Sequence, residues 1–133
     1  KLSQPEVGDA ITNLKLQKLL YYVQGLHLAI NNGIPLFKDE IRAWVYGPVV
    51  VDVYHKYNSY GANFIQVPTE IETDYFSSDQ IELIGEVYEV FGQFSALKLM
   101  EMTHNESPWI QTARDEVITH DKLIEHFKTY VKN

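Results

Sequence analysis

The stretch LKLQKLLYYVQGLHLAI, Leu14 to Ile30, constrains the fold more than any other part of the chain. At ~100° per residue, Leu16, Leu19, Leu20, Val23, Leu26 and Ile30 gather on one side, and Leu14, Tyr21 and Leu28 stack on nearly the opposite side. A helix at a domain surface carries a single apolar stripe, so a helix apolar on two sides is one that neighbours cover on both. The spacing predicts a central buried helix. Lys15 and Lys18 fall at one seam between the faces and Gln17 and Gln24 at another, with Gly25 permitting a close approach. Those seams are where chemistry or contact is expected.

A chain of 133 residues builds one core and not two independent ones, so residues 1–133 are expected to form a single domain. Residues 1–12, with Pro5, Gly8 and Asp9, read as a lead-in loop. Hydrophobic residues at 45% and aromatics at 13% belong to a well-packed globular protein and argue against wholesale disorder. The formal net charge of −7 disfavours nucleic acid, whose phosphates need a basic face, and favours a basic partner. The absence of cysteine removes disulfides, thiolate nucleophiles and Cys-ligated zinc, and fits a reducing, cytoplasmic setting. No apolar run reaches the ~18 residues of a membrane span, so no membrane association is expected.

Along the chain, Thr12 or Asn13 is a credible cap for the central helix, and Asn31-Asn32-Gly33 is a stop that tolerates left-handed backbone. A short strand is expected over Glu40 to Tyr46, where Ile41, Trp44, Val45 and Tyr46 favour extended backbone. Gly47-Pro48 then opens a helix to about Asn58, with Val49, Val50, Val53, Tyr54 and Tyr57 as its buried face. Its valines are mediocre helix formers and leave a strand as the alternative. Phe64 to Val67 reads as a brief strand paired with the first, within a loop from Ser59 to Ser78. Ser78 or Asp79 caps a helix bearing Ile81, Ile84, Val87, Tyr88 and Phe91 and closed by Gly92; Ser95 caps the next. Ser107-Pro108-Trp109 starts another, and a last helix runs from His120 to about Val131. The sum is a mainly helical fold with one small β element.

Few residues make a case for catalysis. His120 and His126 lie six apart, on opposite sides of a helix, whereas a helical metal pair needs a spacing of three or four. His27 reads as a neutral core histidine. Thr103-His104-Asn105-Glu106 crowds a helix end, where His104 paired with Glu106 would make a general base. The plainer account is that Thr103, Asn105 and Ser107 satisfy loose helix-end groups while His104 bonds a neighbouring loop. Neither a serine nucleophile elbow nor a phosphate loop is present. Glu70, Glu72 and Asp74 read as a solvated acidic loop. Among Tyr21, Tyr22, Trp44, Tyr46, Tyr54, Tyr57, Tyr60 and Trp109, most must be core and a minority face a partner.

The succession TNLKLQKLLYYVQGLHLA, then AWVYGPVV with VYHKY after it, and finally THNESPW with Ala113-Arg114 resembles the Panacea-domain family, which includes the SocA-like antitoxins and phage-associated proteins. The resemblance covers about Thr12 to Asp115. It implies a mostly helical domain that binds the cognate toxin of a two-gene bacterial or phage module, with a proteolytic adaptor role as a secondary function. It implies no catalysis and no cofactor. The toxin would be encoded by an adjacent gene.

From the matched blocks, Lys18, Tyr22, Trp44, Tyr46, His104, Glu106 and Trp109 are the candidate partner-binding residues. The acidic stretch Glu70 to Asp79 is expected to steer a basic toxin. Family members carry another helix before the central one, which here only Lys1 to Ile11 could represent; without it, a second copy of the chain could cover the exposed flank. The competing expectation is a small metal-dependent or acid/base enzyme built on His104 and Glu106. It requires those two side chains to converge in a pocket.

Overall fold

The computed structural model describes residues 11–65 and 76–131. Among these, six α-helices and a two-stranded antiparallel sheet follow one another as α1 (Asn13–Ile30), β1 (Ile41–Trp44), β2 (Gly47–Val50), α2 (Val51–Lys56), α3 (Ser78–Phe91), α4 (Ala96–His104), α5 (Ser107–Ile110) and α6 (His120–Phe127). The mainly helical class matches the sequence expectation. No described helix is long and apolar enough to cross a membrane.

Helix α1 is the axis of the molecule. Thr12 caps it by accepting from the Lys15 amide, and it stops where Asn32 and Gly33 take positive φ. It packs against α3, α4, α6 and β2. Tyr21, Tyr22 and Leu28 are fully buried, and Tyr22 stacks on Phe91 with ring centroids 4.0 Å apart. Both apolar faces are covered, with Leu19 and Val23 buried on one and Tyr21 and Leu28 on the other, but the polar seams between them are buried as well. Lys15, Gln17, Lys18, Gln24 and His27 are all buried, whereas Leu16, Leu20 and Leu26 are only partly covered and Ile30 is 49% exposed. Each buried polar group is bonded to a neighbouring element, which removes the cost of leaving it without a partner.

The chain after Pro48 departs from its expected helix. Gly47–Val50 is a strand, paired with β1 in the register Ile41↔Val50 to Trp44↔Gly47, and the helix begins only at Val51. Val49 and Val50 are β-branched and lose side-chain freedom in a helix, and the strand places both in the core. The other edge of β1 is taken by residues 115–118. Ala43 N donates to Glu116 O at 3.0 Å, and Ile118 N donates to Ile41 O at 2.7 Å. The expected pairing of Phe64 and Ile65 with β1 therefore does not form; Ile65 N bonds Ile11 O instead. The rest of that expected strand, Gln66 and Val67, lies outside the described residues, as do Glu70, Glu72 and Asp74.

The starts of the helices after α2 fall within a residue or so of their signals. Ser77, not Ser78, caps α3, in a reciprocal capping box with Gln80. Glu106 rather than Ser107 precedes α5, and its side chain makes no capping bond. Helix α6 gives way to a 3-10 turn over Lys128–Tyr130 short of Val131.

Gly25 is the close approach that the sequence suggests. The ring of Phe127, fully buried on α6, lies where a Gly25 side chain would project. Gly25→Ala gains about 1 kcal/mol of helix propensity but forces that ring out of place at about 3 kcal/mol, so a net loss of about 2 kcal/mol is expected. The midpoint of urea unfolding reads it; a stabilised variant would remove the close contact from the account.

Candidate protein interface

The β1–β2 turn consists of Val45 and Tyr46, which are 65% and 64% exposed. Two-residue hairpin turns favour Asn, Asp and Gly. Here a branched aliphatic and an aromatic face water, and the left-handed backbone is supplied by the next residue, Gly47, at φ +105°. The tip is held rigidly from below. Trp109 Nε1 donates to Trp44 O at 2.8 Å, and His104 Nε2 lies 2.9 Å from Val45 O, which makes that nitrogen the donor. The His104 ring packs against Trp109 at 4.2 Å, tilted by 35°, and the Arg114 guanidinium covers the Trp109 ring at 3.8 Å. On the far side, Trp44 Nε1 donates to Asp115 Oδ1 at 3.1 Å, and its ring meets Tyr54 edge-on at 5.2 Å. Beside the tip opens a cavity of about 310 Å³ walled by Leu14, Trp44, Tyr46, Val49, Tyr54 and Ala62.

The seven candidate residues thus divide into two groups. Trp44, Tyr46, His104 and Trp109 build this surface. Lys18, Tyr22 and Glu106 lie behind it. The Lys18 ammonium is fully buried and donates to Pro48 O at 3.1 Å. Its Cε and Thr103 Oγ1 occupy the space beside Gly47 where a side chain would go, at 2.8 and 2.9 Å, so residue 47 must be glycine for packing as well as for φ. Burial pulls the Lys18 pKa from 10.5 down to about 7.

The Glu106 side chain turns into the interior, where its carboxylate accepts from Tyr21 and Tyr22 at 2.8 Å each and from Tyr130 at 3.4 Å. Desolvation holds its carboxyl above the ordinary value even though all three phenols stabilise the charged form. Burial, and then the Glu106 charge, push both Tyr21 and Tyr22 well up, and Tyr130 up to about 12. His126 Nε2 stands 3.8 Å from the same carboxylate with no hydrogen-bond partner, and burial lowers its pKa. This cluster ties α1, α5 and α6 together.

His104 and Glu106 consequently point apart, one to the hairpin and the other to the tyrosines. The acid/base pair drawn from their sequence proximity is not assembled. The helix-end account fits instead: Thr103 Oγ1 donates to Met100 O, Asn105 Nδ2 donates to Glu101 O, and His104 bonds a neighbouring loop. Among the described residues no group of three or more His, Asp or Glu side chains could hold a metal ion. The candidate set left out Val45, Tyr54, Arg114 and Asp115, although Tyr54 stood among the aromatics and Arg114 in the third matched block. Of these, an apolar pair at a hairpin turn was a readable signal for Val45; Asp115 at φ +67° carried none.

A family model described as "Antitoxin SocA-like, Panacea domain" matches residues 16–110. The protein "Antitoxin SocA" of Caulobacter vibrioides (strain NA1000 / CB15N) is 33% identical over 111 residues, covering 74% of this chain and 58% of the relative. The chain therefore spans less than two thirds of that relative's length. No solved structure matches.

The buried Lys18 generates a pH dependence. Between about 7, its folded value, and the ordinary 10.5, the unfolded chain holds a proton that the folded protein releases, so stability rises with pH through this window and falls toward its lower end. The slope from this group is at most about 1.4 kcal/mol per pH unit. Urea midpoints of the native protein and of Lys18→Met, measured at several pH values within the window, should diverge, with the native protein gaining relative to the variant as pH rises. Parallel profiles would remove the titration.

Proposed function

The chain belongs to the SocA-like antitoxin, Panacea-domain family, and from that premise we propose that it is a cytoplasmic protein-binding domain that neutralises a cognate toxin by covering part of the toxin's surface. The observation that carries this reading is the rigid, exposed Val45–Tyr46 tip beside an aromatic-walled cavity of about 310 Å³. Interface energy concentrates in large rings held in place before binding and paired with pockets, because a side chain already ordered loses little freedom on association. Tyr46 projects as the anchor, and the cavity receives a toxin side chain in return.

His104, Trp109 and Arg114 act in this scheme by holding the tip and by adding flat area around it. Lys18, Tyr22 and Glu106 position it from inside and do not touch the toxin. The net charge of −7 favours a toxin with a basic face. No acid/base reading is retained, because His104 and Glu106 diverge.

Co-expression with the product of the neighbouring gene tests the assignment. That product should be toxic alone and harmless together with this chain. If it is harmless alone, or toxic and not rescued, the antitoxin assignment fails. Within a rescuing pair, Val45→Asp with Tyr46→Ala should weaken binding by about 30-fold or more while changing folding stability by less than about 1 kcal/mol. Isothermal calorimetry and a urea melt separate the two. Unchanged affinity would move the interface off the hairpin.

A further inference from the structure

A second surface runs along the seam between the C-terminal half of α1 and helix α3. Two adjoining cavities there, of about 460 and 400 Å³, share Ile30, Leu83 and Glu86 in their walls and together make a trough along the seam. Its floor is apolar at one end, where Leu26, Val87 and Phe91 line it. Two large apolar residues stand open along it, Ile30 at 49% and Val90 at 52% exposure. Both line the same cavity, and exposed apolar side chains gathered around one concavity mark a place that something covers.

The sequence of α3 says what kind of occupant. Asp79, Glu82, Glu86 and Glu89 recur at steps of three and four, which puts the four carboxylates in one row along the helix, and α3 carries no lysine or arginine. That row adjoins Leu83 and Val90 at ~100° per residue, so the trough has an apolar floor and an acidic rim. His27 lies at its polar end, committed through Nδ1 to Ile34 O at 2.8 Å and through Nε2 to Gln80 Nε2 at 3.3 Å, and among the described residues the lining includes no lysine or arginine.

We propose that this trough receives an amphipathic helix of another protein, seating the helix's apolar stripe on Leu26, Ile30, Leu83 and Val90 and setting a flanking row of lysines or arginines against Asp79, Glu82, Glu86 and Glu89. Helix α3 is long enough to accompany about four turns of such a partner. A second copy of this chain fits less well. A two-fold contact across the trough would set each acidic row beside its own image, and like charges in an interface cost affinity. The inference stands apart from the antitoxin reading, since the trough shares no residue with the hairpin tip.

The probe is a fluorescein-labelled synthetic helix of about four turns, with leucines at positions i, i+3, i+4 and i+7 and lysines on the flank. Two control peptides accompany it, one with the same residues scrambled to destroy the stripe and one with glutamate for lysine. Anisotropy should show the full chain binding the first peptide at least about tenfold more tightly than either control. Ile30→Ser with Val90→Ser should weaken it about tenfold at every salt concentration. Neutralising the rim with Glu82→Gln, Glu86→Gln and Glu89→Gln should weaken it about tenfold at low salt and much less at high salt. Matched neutralisation away from the trough, Glu40→Gln with Asp52→Asn and Glu125→Gln, should leave binding within about twofold.

Urea melts of each variant establish that the fold is retained, and the exposed positions chosen make that the expected result. Equal binding of the scrambled peptide, equal losses from the distant neutralisations, or no loss from the two serine substitutions would overturn the proposal. Sedimentation provides a further check: a native dimer that the serine variant dissociates would assign the trough to a second copy and overturn it as well.

Discussion

Helix α1 sends buried polar side chains to the backbones of the elements around it, and the arrangement of the molecule depends on those bonds. Lys15 reaches Gly92 O beyond the end of α3, Gln17 accepts from Val50 N in β2, and Lys18 donates to Pro48 O in the same strand. Gln24 binds both the amides of Leu36 and Phe37 and the Phe37 carbonyl, and His27 meets Ile34 O. Each such bond contributes only about 1 kcal/mol net, but a partner removed from a buried site leaves about 1–3 kcal/mol of unmet desolvation behind. The asymmetry makes them determinants of register. Apolar contact tolerates sliding, whereas Gln24 can satisfy its amide against Phe37 in one position of the chain only.

This also accounts for how much of the fold could be read in advance. The starts of α1 and α4 were legible because caps are local: Thr12 and Ser95 each accept from an amide three residues on. The two-faced reading of α1 identified the right helix, and both apolar faces are buried, but it missed that the polar seams are buried with them. Hydrophobic periodicity scores Lys18 and Gln17 as exposed, and nothing local reveals that a strand will bring backbone groups to them. The Pro48 helix failed for a related reason. Proline at a helix start and proline in a strand whose missing amide is not needed look alike in sequence, and the choice was settled by Gln17 reaching Val50 from another element.

The candidate site shows the same limit. Of the residues that the family blocks nominated, Trp44, Tyr46, His104 and Trp109 converge on one surface. The blocks could not show which side chains turn inward. Glu106 stands two residues from His104 and three from Trp109 in sequence, yet its carboxylate lies in the core among the hydroxyls of Tyr21, Tyr22 and Tyr130. A side chain at a helix N-cap normally bonds the first amides of its own helix. Glu106 gives that up, and by bonding α1 instead it fixes where α5 begins, and hence where Trp109 stands to hold the hairpin.

Placing both exposed surfaces on one rigid helix has a consequence for how they would be used. The cavity beside the hairpin is walled by Leu14 at the start of α1, and the trough by Leu26 and Ile30 at its end, about 20 Å apart at the rise of an α-helix. No residue is common to the two, so an occupant of one leaves the other open. Their chemistry differs too: the tip offers a projecting ring and a pocket, the trough a long apolar floor with a charged rim. A single compact partner suits the first, and an elongated basic segment suits the second. The buried bonds of α1 hold the distance and orientation between them fixed, so a partner bearing both a pocketed face and a basic helix would meet a matched pair of sites already in place among the described residues, which lowers the cost of binding.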